Sequence, residues 1–349
     1  MDTKNINQCT MILTRDCNLR CNFCYAKKAG YNSSNRISLE NAKTVVDFCN
    51  DARVRYIVFT GGEPLMYPDL DDLLLYIGKQ DNPITTAIPT NGICLKNLDL
   101  CKKLLDEGVN YFDISIKGRN SESWVKATGY DGYFSQLQAI RNLSKLSAEF
   151  TISMVITHEN VDSFCESVRN AVDNGAKSFS FTFVIDNDDS DKRGIDYLIQ
   201  NNPYSLVEKF LSQIDVLSDI TDDWWIEYSF PLCIYTAEQL EKLDRRLASP
   251  CQIHLQNSIT VDPDMNLLPC DMYIGQSVGR LGVDFKDYSG FIKHVQQPQY
   301  TDVVEPLRRY PNEKCISCEH LKSCYGGCPI LWKNYSLDEL QQFKSYYND

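Results

Sequence analysis

Positive charge is scarce in this sequence. Its 349 residues carry 35 Lys and Arg against 47 Asp and Glu, a formal net charge of −12. A protein that grips nucleic acid needs a basic face to displace counterions from phosphates, and no Lys/Arg cluster here supplies one. Transfer or ribosomal RNA is therefore not an expected partner, and the acidic balance reads as a means of staying soluble. Long apolar runs are also missing. No stretch approaches the ~18 residues that a spanning helix needs, so no membrane partner is expected. The opening MDTKNINQ has no basic stretch followed by an apolar one, so no secretory signal is expected and the cytoplasm is the expected location. Internal repeats and low-complexity tracts are absent.

Cysteine, by contrast, is abundant, with 15 residues. Secreted disulfide scaffolds are short and carry signal peptides; this chain has neither property. In a reducing compartment clustered cysteines point to metal ligation. Three fall at Cys17, Cys21 and Cys24, and four at Cys315, Cys318, Cys324 and Cys328. The hydrophobic fraction of 43% and charged fraction of 23% are those of a globular protein with a substantial core. The length suits one large domain, or a large domain with a smaller one appended.

Up to residue 185 strand-like and helix-like segments alternate. β-rich runs fall at 9–14, 55–60, 84–89, 111–116, 151–157 and 178–184, with helical apolar spacing at 38–50, 69–79, 96–107, 133–146 and 160–174. Ser38 with Asn41, Asp69 and Asn160 are plausible caps. Strands separated by helices mean βαβ units and a parallel sheet. The expected fold class is α/β: a partial (β/α)6 TIM-like barrel with active-site groups at the C-terminal strand ends. Residues 186–200 read as a polar linker, followed by a helix over about 203–218. Beyond 224 come short strands, turns and cysteines, a small α+β region whose apolar burial is too meagre to hold it without metal clusters. The expected division is 1–185, 186–229 and 230–349.

The strongest motif is Cys17-Asn18-Leu19-Arg20-Cys21-Asn22-Phe23-Cys24, directly after the first strand. Three thiolates at this spacing can hold three irons of a [4Fe–4S] cluster and leave one iron open to a small molecule. A zinc site would ordinarily close with four ligands, and no nearby His or Cys supplies the fourth. Gly61-Gly62-Glu63-Pro64 follows the second strand, where glycines let backbone approach a ligand and the carboxylate could bind an ammonium. Alone, that tetrapeptide is more often a turn before a helix. Thr90-Asn91-Gly92 follows the third strand; Ser115 and Lys117 end the fourth, where either a ligand contact or a simple strand-end role is open.

The cysteine triad with Phe23 before its last member resembles the signature of the radical S-adenosylmethionine (SAM) superfamily, and the GGEP and TNG segments resemble that family's SAM-binding motifs. The resemblance implies a [4Fe–4S] cluster on Cys17, Cys21 and Cys24, and SAM held near Phe23, Gly61, Gly62, Glu63, Pro64, Asn91, Ser115 and Lys117. It also implies reductive cleavage of SAM to a 5′-deoxyadenosyl radical, with the protein orienting the cofactor and excluding water. An electron donor of flavodoxin or ferredoxin type is the expected redox partner.

Cys315-x2-Cys318-x5-Cys324-x3-Cys328, preceded by Cys251 and by Cys270 on a hairpin, resembles the SPASM domain. That domain houses auxiliary iron–sulfur clusters in radical SAM enzymes acting on peptides and proteins; the alternative is a zinc knuckle. One or two auxiliary clusters are implied. By the family's interleaved ligation, Cys251, Cys270 and Cys328 serve one cluster, and Cys315, Cys318 and Cys324 the other. The family's cysteine after the position of Cys328 is missing here, as is one just after Cys251. Cys233 is either a replacement for the latter or a buried thiol, and Asp271 and His320 are the nearby non-cysteine candidates for the Cys315 set. Cys9, Cys49, Cys94, Cys101 and Cys165 read as core residues, any of which could donate hydrogen to a substrate radical. Trp224 and Trp225 read as core or surface aromatics.

The expected function is maturation of a ribosomally made peptide or protein by C–H activation: a crosslink, a thioether or an epimerisation. Formylglycine formation of the sulfatase-maturase kind and small-molecule dehydrogenation are alternatives, as is an electron-transfer protein without SAM chemistry, which would need no GGEP or TNG segment. Catalytic residues are not identifiable from the sequence. With sixteen residues before Cys17, a leader peptide would be presented by a separate small protein or bound by the barrel and auxiliary region directly.

Overall fold

A computed structural model describes residues 5–185, 202–227, 230–248, 251–309 and 311–341; the linker expected at 186–200 lies outside the described residues. Segments rich in β-branched and aromatic residues form six parallel strands: β1 Gln8–Thr14, β2 Tyr56–Gly61, β3 Thr85–Thr90, β4 Val109–Ile116, β5 Phe150–Ile156 and β6 Ser178–Phe183. Each lies within two residues of its expected position. The pleat decides what each side chain meets. Along β4, Phe112, Ile114 and Ile116 are buried while Tyr111, Asp113 and Ser115 take the opposite face.

The helices between strands are α1 Leu39–Asp51, α2 Leu70–Ile77, α3 Leu98–Asp106, α4 Ser121–Thr128, α5 Tyr133–Lys145 and α6 Phe164–Val172. Ser38 caps α1 by accepting from the Asn41 N–H at 3.2 Å. Asn160 does not cap α6: its side chain accepts from Thr157 N–H and donates to the Val155 carbonyl, closing the end of β5 instead. Helix α4 is unexpected, since only Trp124 and Thr128 of its residues are buried and its apolar stripe is weak. It is defined by its ends, a capping box between Asn120 and Ser123 and a left-handed Gly129 with φ of 74°. The single helix expected over 203–218 is two, Pro203–Leu211 and Ile214–Ile220.

Two strand additions enlarge the sheet. β7 Asp223–Ile226 pairs with β6 in parallel, burying Trp224; Trp225 donates its indole N–H to Glu227 at 2.8 Å. The hairpin β8 Ser258–Val261 and β9 Asn266–Leu268 turns on Asp262, whose carboxylate accepts from the Asp264 and Asn266 N–H groups. β8 then pairs in parallel with β1, and β10 Gly279–Arg280 pairs with β9. The result is one open ten-stranded sheet in the order β10-β9-β8-β1-β2-β3-β4-β5-β6-β7. Cys9, Cys49, Cys101 and Cys165 are buried in the core and Cys94 is half-buried.

The edge at β6 and β7 is packed by rings. Phe210, with no exposed surface, stacks on Phe164 at 4.8 Å and meets Phe181, Phe183 and Trp224 edge-on. Phe210→Ala leaves a cavity among rings that cannot collapse, so we expect a loss of about 3–5 kcal/mol. The check is a urea midpoint that falls while the slope of the transition is kept; an unchanged midpoint would show that this edge does not limit stability.

Candidate active site

The triad loop leaves β1 and is pinned at both sides. Arg20 N–H and Asn22 N–H donate to the Thr128 and Ala127 carbonyls at the end of α4, each at 2.9 Å. Leu19 is buried with Ile93 and Trp124, and Cys17 and Cys21 pack against that small cluster. The Leu19 N–H points at Cys17 Sγ at 3.4 Å. Burial, together with Glu63, Cys21 and Cys24, pushes the Cys17 thiol up to about 11 against that hydrogen bond. Cys21 is raised by burial, opposed by Lys117 and reinforced by Cys24. Buried thiols that raise one another's proton affinity fit an iron cluster, whose positive charge favours the thiolate form. Among the described residues no three Cys, His, Asp or Glu side chains are grouped to hold a single metal ion. A four-iron cluster takes one thiolate per iron and so needs its donors spread.

The GGEP turn lies flush against this loop. A Cβ at Gly61, which has φ of 140°, would stand 2.1 Å from the Thr14 carbonyl oxygen, and one at Gly62 2.0 Å from that of Asp16. Only glycine permits this approach. Gly62 and Glu63 N–H groups donate to the same two carbonyls at 2.7 and 2.8 Å. Glu63 is buried and fully engaged: it accepts from Leu65 N–H, Thr90 Oγ1 at 2.6 Å and Asn91 N–H at 2.9 Å. Its carboxylate therefore ties the GGEP turn, with Pro64 opening the short helix Pro64–Met66, to the TNG loop. Asn91 Nδ2 donates to Asn18 Oδ1 at 2.7 Å, which closes the ring of loops on the triad. Lys117 donates to Ser115 Oγ at 2.6 Å, lies 5.4 Å from the Phe23 ring centroid, and acts electrostatically on Cys21 and Glu63. The residues expected around SAM thus converge on one place. Asn18 and Gln136 are absent from the expected set. Gln136 donates to the Asn91 and Ser115 carbonyls from the buried face of α5, and a glutamine at a core position of a helix was the available signal.

The C-terminal cysteines fall into two sets. Cys270 is pushed well above the thiol range by burial, then by Asp271, Cys328 and Cys251. Burial, with Cys251 and Asp271 adding, pushes Cys328 up to about 12. Cys251, Cys270 and Cys328 pack against Ile253, Tyr273 and Ile330. The other set holds Cys315, Cys318 and Cys324. Beside it stands Cys233, an exposed residue whose sulfur is partly enclosed; that enclosure, then Cys324, Cys315 and Cys318, push its thiol up to about 11. The neighbouring Leu232 N–H meets Cys324 Sγ at 3.3 Å. Asp271 stands with Cys251, Cys270 and Cys328, while His320 pairs with Glu319 at 3.6 Å. Buried His254 lies between the sets, its N–H on the Cys251 carbonyl and its Nε2 3.2 Å from the Gly327 carbonyl. A carbonyl only accepts, so Nε2 carries the proton.

A cavity of about 510 Å³ opens beside the triad. Asn22 to Tyr25 line it with Thr157, His158 and Glu159 after β5, Val184 and Ile185 after β6, and Phe230, Leu331 and Tyr335 of the C-terminal region. The Tyr25 hydroxyl lies 3.4 Å from Thr60 Oγ1 and interacts with the neighbouring Asp271 carboxyl, which also feels Arg15. Loops at strand ends and the auxiliary region therefore share one chamber.

Residues 11–171, a little under half of the chain, match the family described as the Radical SAM superfamily. Its members bind a [4Fe–4S] cluster and SAM. Fe-coproporphyrin III synthase of Methanosarcina barkeri is 31% identical over 150 residues, 43% of this chain and 37% of that protein. The subtilosin biosynthesis protein AlbA of Bacillus subtilis is 29% identical over 180 residues, 51% of this chain and 39% of that protein. The chain thus spans well under half the length of these two curated relatives. A solved structure of anSMEcpe with bound AdoMet and Cp18Cys peptide superposes with a TM-score of 0.71 at 18% identity, covering 98% of this chain and 96% of that one. The likeness in fold therefore runs through the cysteine-rich C-terminal region as well. Among the described residues no helix is long and apolar enough to cross a membrane.

Asp113, on the β4 face that carries Ser115, gives a pH test. Its Oδ1 is buried without a partner. Burial, with Glu227 adding and Ser153 and Lys117 opposing, pushes its carboxyl from 3.8 up to about 6. The folded form keeps its proton to higher pH than the unfolded chain, so folding takes up a proton in this window and stability falls as pH rises through it. Asp113→Asn removes the cost. Its stability advantage over the parent should grow by about 1–2 kcal/mol between about pH 5 and about pH 8. A difference that is the same at both ends would show an ordinary carboxyl.

Proposed function

We propose that this protein is a radical SAM maturase that activates a C–H bond in a peptide or protein substrate. The observation that carries the reading is the shared chamber, in which Cys24 and Tyr25 of the triad loop face Phe230, Leu331 and Tyr335 of the auxiliary region. A cavity of this size takes a small substrate or one or two residues of a chain, and its lining combines apolar side chains with Lys27, Lys28 and Glu159. Such a wall suits a polypeptide, which presents amides and an apolar side chain together. The reading divides the chain into a SAM-cleaving unit at 1–185, a connection at 186–229 and a unit for auxiliary clusters at 230–349.

When bound, the cluster on Cys17, Cys21 and Cys24 supplies the electron that cleaves SAM. The protein's own part is to bind and exclude. Gly61 and Gly62 hold the turn close enough for its backbone to meet the methionine end of SAM. Glu63 keeps that turn locked to Thr90 and Asn91, and Lys117 with Phe23 provides a cation and an aromatic face beside it. The apolar wall of Val184, Ile185, Leu206 and Phe230 keeps water from a reactive carbon radical. A flavodoxin- or ferredoxin-type donor would reduce the cluster, and a leader peptide would be presented by a separate small protein or engaged by the barrel and auxiliary region directly. Formylglycine formation is favoured as a second reading by Asp271 and Tyr25. Tyr25 lines the chamber and Asp271 stands behind it, so that carboxyl can receive, through the phenol, the proton released when a Cys or Ser side chain is oxidised.

Anaerobically reconstituted protein with dithionite and SAM should form 5′-deoxyadenosine, slowly even without substrate, and Cys17→Ala should abolish it. With peptides encoded beside its gene, mass spectrometry should find loss of two hydrogens for a crosslink, or deuterium uptake from heavy water for an epimerisation. SAM cleavage that survives replacement of all three triad cysteines would sink the assignment. Turnover of a porphyrin or nucleotide with none of any peptide would sink the substrate class.

A further inference from the structure

The cysteine count beyond residue 230 is seven, one short of closing two four-iron clusters. Where the shortfall lies decides which cluster has an iron free to meet a ligand. We propose that Cys233 closes the Cys315, Cys318 and Cys324 set, so that the incomplete set is Cys251, Cys270 and Cys328, on the side of the substrate chamber. The proposal rests on the reading that these cysteines hold auxiliary clusters.

Three contacts carry it. Leu232 N–H, one residue from Cys233, points at Cys324 Sγ at 3.3 Å. A Cβ at Gly327, whose φ is 72°, would stand 2.6 Å from Pro231 N and 2.9 Å from the Phe230 carbonyl carbon, so the two backbones are in direct contact. Phe230 stacks on Phe183 at the end of β6, 5.1 Å between centroids and 10° between planes. The segment that delivers Cys233 is therefore clamped between the barrel and the Cys324–Cys328 loop. Its short helix Leu232–Ile234 thereby carries Cys233 next to Cys324, one residue from the N–H that meets the Cys324 sulfur. A ligand arriving from before the cysteine-rich stretch thus does the work of one that would follow Cys328.

The remaining set faces the chamber through two residues. Ile185 lines the cavity and packs against the Ile253, Tyr273 and Ile330 cluster, on which Cys251, Cys270 and Cys328 also pack. Tyr25 lines the cavity and neighbours Asp271, the residue that directly follows Cys270 in the chain. A cluster closed by four cysteines can pass electrons only, whereas one held by three has a site for an anionic ligand. On this assignment the electron-passing cluster lies on the Cys233 side, and the ligand-accepting one borders the chamber.

The test uses the full chain with Cys17, Cys21 and Cys24 all replaced by Ala, so that only auxiliary iron remains. Anaerobic reconstitution should give about 8 iron per chain. Adding Cys233→Ala should remove at least one iron and bring up the signal of a three-iron cluster in the oxidised protein. Cys233→Ser, which keeps an oxygen ligand, should hold the iron but shift the reduced spectrum. Cyanide should perturb one reduced cluster in the background protein, and still do so after Cys233→Ala, but not after replacement of Cys251, Cys270 and Cys328. Unchanged iron and spectra in Cys233→Ala, in protein whose circular dichroism matches the background, overturn the proposal. Loss of the cyanide-sensitive cluster in that variant overturns it too, because Cys233 would then belong to the other set. Absence of auxiliary iron from the background protein would instead remove the reading beneath it.

Discussion

The parallel pairing of β8 with β1 is the contact on which the arrangement of the whole chain depends. Gln8 to Met11 align with Ser258 to Val261, the Asn257 carbonyl accepts from the Asn7 and Gln8 N–H groups, and Gln252 donates to the Gln8 side chain at 3.1 Å. β1 is thereby an interior strand, bound by β2 on one side and by a strand some 250 residues later on the other. The strand that leads into Cys17 and the hairpin that leads into Cys270 share one hydrogen-bonded ladder. A slip of one residue would turn every side chain of the hairpin to the wrong face. Pairing so distant in sequence carries a large closure entropy, which grows only slowly with loop length and is repaid by the buried strand.

Charge inside the site is arranged group by group. Three buried carboxyls, Glu63, Asp113 and Asp271, are all raised by burial, yet they are treated differently. Glu63 receives three donors and Lys117 nearby, so its charge is supported where it must hold two loops together. Asp113 has an oxygen with no partner and no locking role. Asp271 has Tyr25 and Arg15, and it stands between a set of thiols and the chamber. Metal clusters would add the positive charge that fifteen cysteines and an acidic surface otherwise lack.

The chamber is built by segments that meet only through the fold. Its walls come from the loops after β1, β5 and β6, from Pro203 and Leu206, and from Phe230, Leu331 and Tyr335. Aromatic packing around Phe210 holds the β6–β7 edge, and Phe230 on Phe183 continues that stack to the Cys233 segment. Barrel stability and the position of the auxiliary cysteines are thus linked through rings and do not depend on a tether alone.

By itself the sequence determined the local chemistry. Alternation of β-branched runs with helical spacing is a short-range signal, and it marked all six barrel strands; the cysteine triad, GGEP and TNG are contiguous motifs whose glycines and thiols announce their use. Helix α4 was illegible because it buries two side chains and lives by its caps, and β7 because four residues of Asp-Trp-Trp-Ile carry no period. What tertiary structure alone decided was partnership across distance: β8 on β1, Gln136 on the Asn91 and Ser115 carbonyls, Glu63 as a lock between loops, and the Leu232–Ile234 segment against Cys324. The reason is physical. A thiol's spacing in sequence bounds its reach only within one loop, and beyond that its neighbours are chosen by which strands pair and which rings stack.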